Sequence, residues 1–73
     1  MAGVPRVVVQ PPSRSGGRRV RVDGLVLGTA YGMADLLELL RRAGLDVEGI
    51  DVRESPLIEW RGGGPDDWPP PAP

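Results

Sequence analysis

The dipeptide Asp23-Gly24 sits between two alternating segments, Arg19-Val20-Arg21-Val22 before it and Leu25-Val26-Leu27-Gly28 after it. Asp-Gly is favoured in two-residue type I′ turns, whose backbone twist matches that of the flanking strands, so the segment predicts a β-hairpin. The turn also sets a register. If Val22 faces Leu25, then Arg21 faces Val26, Val20 faces Leu27 and Arg19 faces Gly28. One side of the hairpin then carries Val20, Val22, Leu25 and Leu27, and the other carries Arg19, Arg21 and Val26. A sheet with one apolar face and one arginine-bearing face needs a cover on the apolar side only.

The flanking segments supply that cover. Arg6 to Gln10 reads as a further strand, with Val7 and Val9 on one face and Arg6, Val8 and Gln10 on the other, stopped by Pro11 and Pro12. Pro11 to Gly17 reads as a polar loop. From Met33 to Ala43, Met33, Leu36, Leu37 and Leu40 form a helical stripe; Asp35 stands near the start, Arg41 and Arg42 near the end, Glu38 is spaced to pair with Arg42, and Gly44 fits the C′ position. Leu45 to Arg53 predicts a short strand around Ile50 and Val52. Ser55-Pro56 has the form of an N-cap followed by proline, so Leu57 to Arg61 is expected as a helical turn ended by Gly62, with a short edge strand as the alternative. The expected fold is α+β: a small antiparallel sheet of three or four strands, one helix on its apolar face, and a Trp/Gly/Pro tail along an edge. Residues 1–61 are expected as a single small domain and 62–73 as the tail.

Composition narrows the chemistry. The chain of 73 residues has no His and no Cys, and every one of its 9 basic side chains is Arg. Imidazole acid-base chemistry, thiolates, zinc fingers and disulfides are therefore excluded by inventory, as are P-loop and Schiff-base lysines. Ser13, Ser15, Thr29, Ser55 and Tyr31 have no His or Lys to activate them, and no enzyme, cofactor or metal site is expected. The glycines at 24, 28 and 32 precede a helix, but their spacing fits neither the dinucleotide nor the Walker phosphate loop. Asp66 and Asp67, with Glu59, form an acidic group in a Gly/Pro setting that is expected to be solvated. No apolar run is long enough to span a membrane and no leader with an apolar core is seen, so a cytoplasmic location is the expectation. The absence of Lys, Asn and Phe beside 11 Gly and 9 Pro points to a high-GC bacterial genome. A chain this short, without staples, gains from a folded-back tail or from self-association.

Charge is segregated along the chain. Residues 1–22 hold five arginines and no acid, a formal +5, whereas residues 23–73 hold all 10 acids against four arginines, a formal −6. Internal complementarity accounts for such a split. An arginine face for an acidic partner or for nucleic acid is the functional alternative, and a pI near 5.2 argues against nonspecific nucleic-acid binding.

Ten of the last fourteen residues are Trp, Gly or Pro, and the only two tryptophans, Trp60 and Trp68, bracket the glycines. Ile58-Glu59-Trp60, Gly63-Gly64-Pro65 and Pro69-Pro70-Pro71 resemble, in that order, the Trp-cage miniprotein, with both spacings one residue shorter. That resemblance implies a tail folded over Trp60; an extended proline-rich ligand for a partner groove is the competing expectation. Residues 20–46, from Val20-Arg21-Val22-Asp23-Gly24 through Ala34-Asp35-Leu36-Leu37 to Gly44-Leu45-Asp46, resemble β-grasp sulfur carriers, whose exposed terminal Gly-Gly would here require cleavage after Gly64. Residues 19–68 are similar to short uncharacterised actinobacterial proteins ending in Trp-x-Gly-Gly-Gly-Pro-x-x-Trp, which implies no activity. The expected role is a non-catalytic adaptor or regulator binding a protein partner, with a homodimer among the candidates, through Arg6, Arg19, Arg21, Val26, Trp60 and Trp68. The alternative is a nucleic-acid-binding regulator using Arg14, Arg18, Arg19 and Arg21.

Overall fold

A computed structural model describes residues 6–49 and 51–70. Three strands, β1 (Val7–Pro12), β2 (Arg18–Val22) and β3 (Leu25–Ala30), lead into one helix, α1 (Met33–Arg42), and a last short strand, β4 (Ile58–Trp60). The four strands form a single sheet in the order β3-β2-β1-β4. The fold is α+β. The sheet is mixed rather than wholly antiparallel, because β4 runs parallel to β1, pairing Val7 with Ile58 and Val9 with Trp60. The topology accounts for this: the chain crosses the sheet through α1 and the following loop before it reaches the free edge of β1.

The hairpin forms at Asp23-Gly24, where both residues take positive φ, 51° and 87°, as a type I′ turn requires. Val22 pairs with Leu25 and Arg21 with Val26. Beyond that point the expected register fails, since Val20 pairs with Gly28 and Arg19 with Thr29. A β-bulge inserts Leu27 as an extra residue, which lets Leu27 pack against the core while Gly28 sits under α1. A Cβ at Gly28 would lie 3.2 Å from Leu39 Cδ2, so the bare backbone admits the helix. Leu25, expected among the core residues, is 73% exposed at the hairpin tip.

Elsewhere local chemistry reshapes the expected elements. The prolines do not stop β1 at Gln10; a second bulge between Val9 and Pro12 carries the strand on to a pairing of Pro12 with Arg18. Residues 13–17 form a tight turn closed by Ser13 N–H to Gly17 O at 3.0 Å. The strand expected across 45–53 is absent among the described residues there, and Ile50 lies outside them. Asp46 and Asp51 instead each accept the backbone N–H two residues on, from Glu48 at 3.0 Å and Arg53 at 3.1 Å, turning the chain twice. The helical turn expected over 57–61 is also absent, and the edge-strand alternative, β4, takes its place.

The helix ends as its sequence requires. Gly44 N–H donates to Arg41 O and Leu45 N–H to Leu40 O, both at 3.0 Å, the paired bonds of a Schellman motif. At its start Asp35 reaches back to accept the Tyr31 N–H at 2.9 Å. The core joins Val7, Val9, Val20, Ala30 and Ile58 of the sheet to Leu36 and Leu40 of α1 and to Val52 of the loop. Leu39, outside the expected stripe, packs against it too.

Candidate functional site

Two arginine arrangements, one on each face of the sheet, distinguish this molecule. The first is internal. Strand alternation places Arg18 on the same side as Val20 and Val22, and its side chain is fully buried, at 0% exposure. Each of its five N–H groups meets a backbone carbonyl: Nε donates to Gln10 at 2.8 Å, Nη1 to Gly64 at 2.7 Å and Asp67 at 3.2 Å, and Nη2 to Arg61 at 2.7 Å and Gly63 at 3.2 Å. Its guanidinium carbon lies 5.4 Å from the Trp60 ring centre and 5.7 Å from that of Trp68, and the two indoles meet edge to face at 5.8 Å. Burial lowers the Arg18 pKa from its ordinary value, and the charge of Asp67 opposes that shift. Of the four arginines considered for nucleic-acid binding, Arg14, Arg18, Arg19 and Arg21, Arg18 is thus the one turned inward, with its N–H groups bonded within the fold.

Further contacts hold the 61–70 segment at this place. Gly17 N–H donates to Pro69 O at 2.9 Å, Trp68 Nε1 to Pro65 O at 2.6 Å, and Arg53 pairs with Asp66. Gly62 has φ 71°, and a Cβ there would lie 2.7 Å from Pro11 Cβ, so only glycine lets the chain turn this closely against the bulge of β1. Trp60 and Trp68 are both half-buried. Trp60 Nε1 is buried and meets no acceptor among the described residues.

The second arrangement is the outer sheet face. Register aligns Val26, Arg21, Val8 and Glu59 in a row across all four strands. Arg19 stands beside this row on β2. Arg6 lies 3.7 Å from Glu59, and Arg61 bonds the same carboxylate, which marks both arginines as sharing that side. The face thus presents Arg6, Arg19, Arg21 and Arg61 with Glu59 as the carboxylate that ion-pairs with two of them, in a chain whose net charge is −1. The bond from Arg61 holds the Glu59 pKa below the ordinary carboxylate range; partial desolvation opposes this, and the charges of Arg61 and Arg6 reinforce it. Val26 is 51% exposed, whereas Val8, at 9%, is nearly covered by its neighbours. Arg14 is exposed in the 13–17 turn.

Other sequence candidates are dispersed. Gly24 turns the hairpin, Gly28 follows the bulge and Gly32 precedes α1, so the three make no phosphate loop. Asp66 is engaged by Arg53 while Glu59 is engaged on the outer face by Arg61 and Arg6. Among the described residues no helix is long and apolar enough to cross a membrane. Compared with protein-family models, curated proteins and solved structures, the chain has no match. The feature that sequence reasoning missed is the enclosure of Arg18, although its parity with Val20 and Val22 was the available signal.

Proposed function

We propose that the protein is a non-catalytic binding module whose outer sheet face receives an acidic segment of a partner protein. The observation that carries this reading is the outer face as the described residues form it, where Arg6, Arg19, Arg21 and Arg61 stand with Glu59 near the exposed Val26 in a chain of net negative charge. The inner face is occupied by the chain's own helix and 61–70 segment, and among the described residues no helix or strand packs over the outer face. Guanidinium groups beside exposed apolar side chains suit recognition of a carboxylate-bearing or otherwise anionic surface, since Arg is enriched among interface hot spots. Trp60 and Trp68 support the fold in this reading rather than touching the partner.

The nucleic-acid alternative loses Arg18 and is left with Arg14, Arg19 and Arg21. The carrier alternative would need Gly63 and Gly64 free, yet their carbonyls are bound by Arg18. The test is retention of a partner by the immobilised chain and by its Arg19→Glu/Arg21→Glu variant. The reading expects loss of that partner while the unfolding midpoint stays within about 8 °C, because two exposed substitutions at about 0.5 kcal/mol or less each cost together about 1 kcal/mol or less. Unchanged retention refutes it. Recovery that is abolished by nuclease, with affinity falling steeply in salt, would establish the nucleic-acid alternative instead.

A further inference from the structure

The outer face is not uniform. Where the 13–17 turn rises beside β2 and β3 it leaves a hollow of about 290 Å³, and its lining includes Ser13, Ser15, Arg19, Arg21, Thr29 and Tyr31. The residues around this space thus include two arginines and four that carry hydroxyls, and no acidic residue is among them. Neither Arg19 nor Arg21 takes part in an ion pair among the described residues, in contrast to Arg6 and Arg61 on the same face. The two arginines are two residues apart on β2, so they leave the sheet on the same side with Cα atoms about 6.6 Å apart. The Ser13 and Ser15 hydroxyls are 2.9 Å apart, and Ser13 Oγ accepts the Ser15 N–H at 3.2 Å, which fixes where these hydroxyls stand.

We propose that this hollow binds the phosphoryl group of a phosphorylated serine or threonine in the partner protein, so that docking on the outer face depends on phosphorylation of the partner. This rests on the reading of that face as a protein-binding surface. The donor inventory selects the ligand. A carboxylate brings one charge and two oxygens, both of which one guanidinium fork already contacts, whereas a phosphate monoester brings three non-bridging oxygens and nearly two charges, which matches two forks and neighbouring hydroxyls better. A hollow of about 290 Å³ also leaves room for the carbon stem that carries the phosphoryl group.

The experiment is an NMR titration of the full chain with N-acetyl-phosphothreonine amide, using N-acetyl-threonine amide, inorganic phosphate and adenosine monophosphate as comparison probes. The expected result is saturable shifts at Arg19, Arg21, Ser13, Ser15, Thr29 and Tyr31 with the phosphorylated probe and none with its unphosphorylated counterpart. Arg19→Gln and Arg21→Gln should each weaken binding by roughly tenfold, the loss of one charge-assisted contact, and Arg19→Lys should weaken it as well because the fork is gone. Shifts that fail to saturate, that centre on Arg41 and Arg42, or that survive both Gln substitutions would overturn the proposal. Tighter binding of adenosine monophosphate would overturn the protein source of the phosphoryl group. Partner capture that depends on Arg19 and Arg21 but survives phosphatase treatment of the partner would overturn this inference and leave the docking face standing. Phosphoryl binding in the hollow combined with capture indifferent to both arginines would overturn the docking face, and with it the partner assigned here.

Discussion

Replacing Arg18 with lysine keeps the charge and removes the geometry. The guanidinium spends five N–H groups on five backbone carbonyls. An ammonium has three donors, so at least two carbonyls in a buried setting lose their partner. Each unmatched buried group costs about 1–3 kcal/mol. The tail that supplies four of the carbonyls lies at the surface and relaxes toward water, which puts the total near the low end, about 2–3 kcal/mol. For a chain of 73 residues the whole stability is expected to be roughly 4–11 kcal/mol, so the loss is a large share of it. At about 4–8 °C per kcal/mol, the unfolding midpoint of Arg18→Lys should fall by roughly 10–20 °C.

The assay is thermal unfolding followed by circular dichroism and by tryptophan emission. Both indoles flank Arg18, so emission should shift to the red below the main transition as the tail loosens. Arg19→Lys, on the exposed side of the same strand, is the control and should stay within about 4 °C. A midpoint for Arg18→Lys within about 4 °C of the parent, with unchanged emission, would show that the carbonyl cage contributes little and that the reasoning from donor number is wrong.

Two glycine substitutions separate backbone strain from steric clash. Gly24→Ala, with nothing within 4 Å of the added methyl, should cost only the roughly 1–2 kcal/mol of a left-handed residue, whereas Gly62→Ala adds contact with Pro11 and should lower the midpoint further; equal losses would dismiss the close approach at Pro11. Deleting residues 65–73 removes the Trp68 ring and the Pro69 acceptor for Gly17, so Trp60 emission should shift to the red and stability fall by roughly 1–2 kcal/mol in a melt; an unchanged midpoint with loss of a partner would make the tail a ligand instead. Glu59 titrates below the ordinary carboxylate range, so its ion-pair contribution is present above the unfolded pKa and lost as pH falls through the folded one; Arg61→Ala should raise the Glu59 pKa in an NMR titration, and no change would refute the pairing.

What the sequence disclosed was local, and what it withheld depended on distant partners. Asp23-Gly24 and its alternating flanks contain all the information for a two-residue hairpin, and the stripe from Met33 with Gly44 beyond its end contains a helix with its stop. The bulge at Leu27 is different, because it places Gly28 beneath Leu39 of a helix that alternation within the strands does not anticipate. β4 was ambiguous for the same reason. Three residues after Ser55-Pro56 suit a helical turn or a strand equally, and pairing with β1, about fifty residues earlier, decides between them. Across 45–53 the apolar pattern suggested a strand, but the Asp46 and Asp51 carboxylates capture nearby N–H groups and turn the chain first.

The arginines carry the same lesson into the site. Grouping Arg14, Arg18, Arg19 and Arg21 by charge treats them as one basic patch, while the pleat of β2 sends Arg18 inward with Val20 and directs Arg19 and Arg21 to the other face. An inward arginine at that point would be an unpaired buried charge unless acceptors were brought to it, and a carboxylate is not the group that arrives. The acceptors are main-chain carbonyls, four of them from residues 61–67, where glycines let successive carbonyls turn toward one centre. The Gly-rich run and Arg18 thus explain each other: the run closes over the end of the inner face because the guanidinium holds it, and the guanidinium tolerates burial because the run surrounds it. Strand β2 consequently ties the two faces together, since the residue that anchors the tail is the immediate neighbour of one that borders the outer hollow. A partner that fixes Arg19 and Arg21 therefore acts on the strand whose position the Arg18 cage already defines.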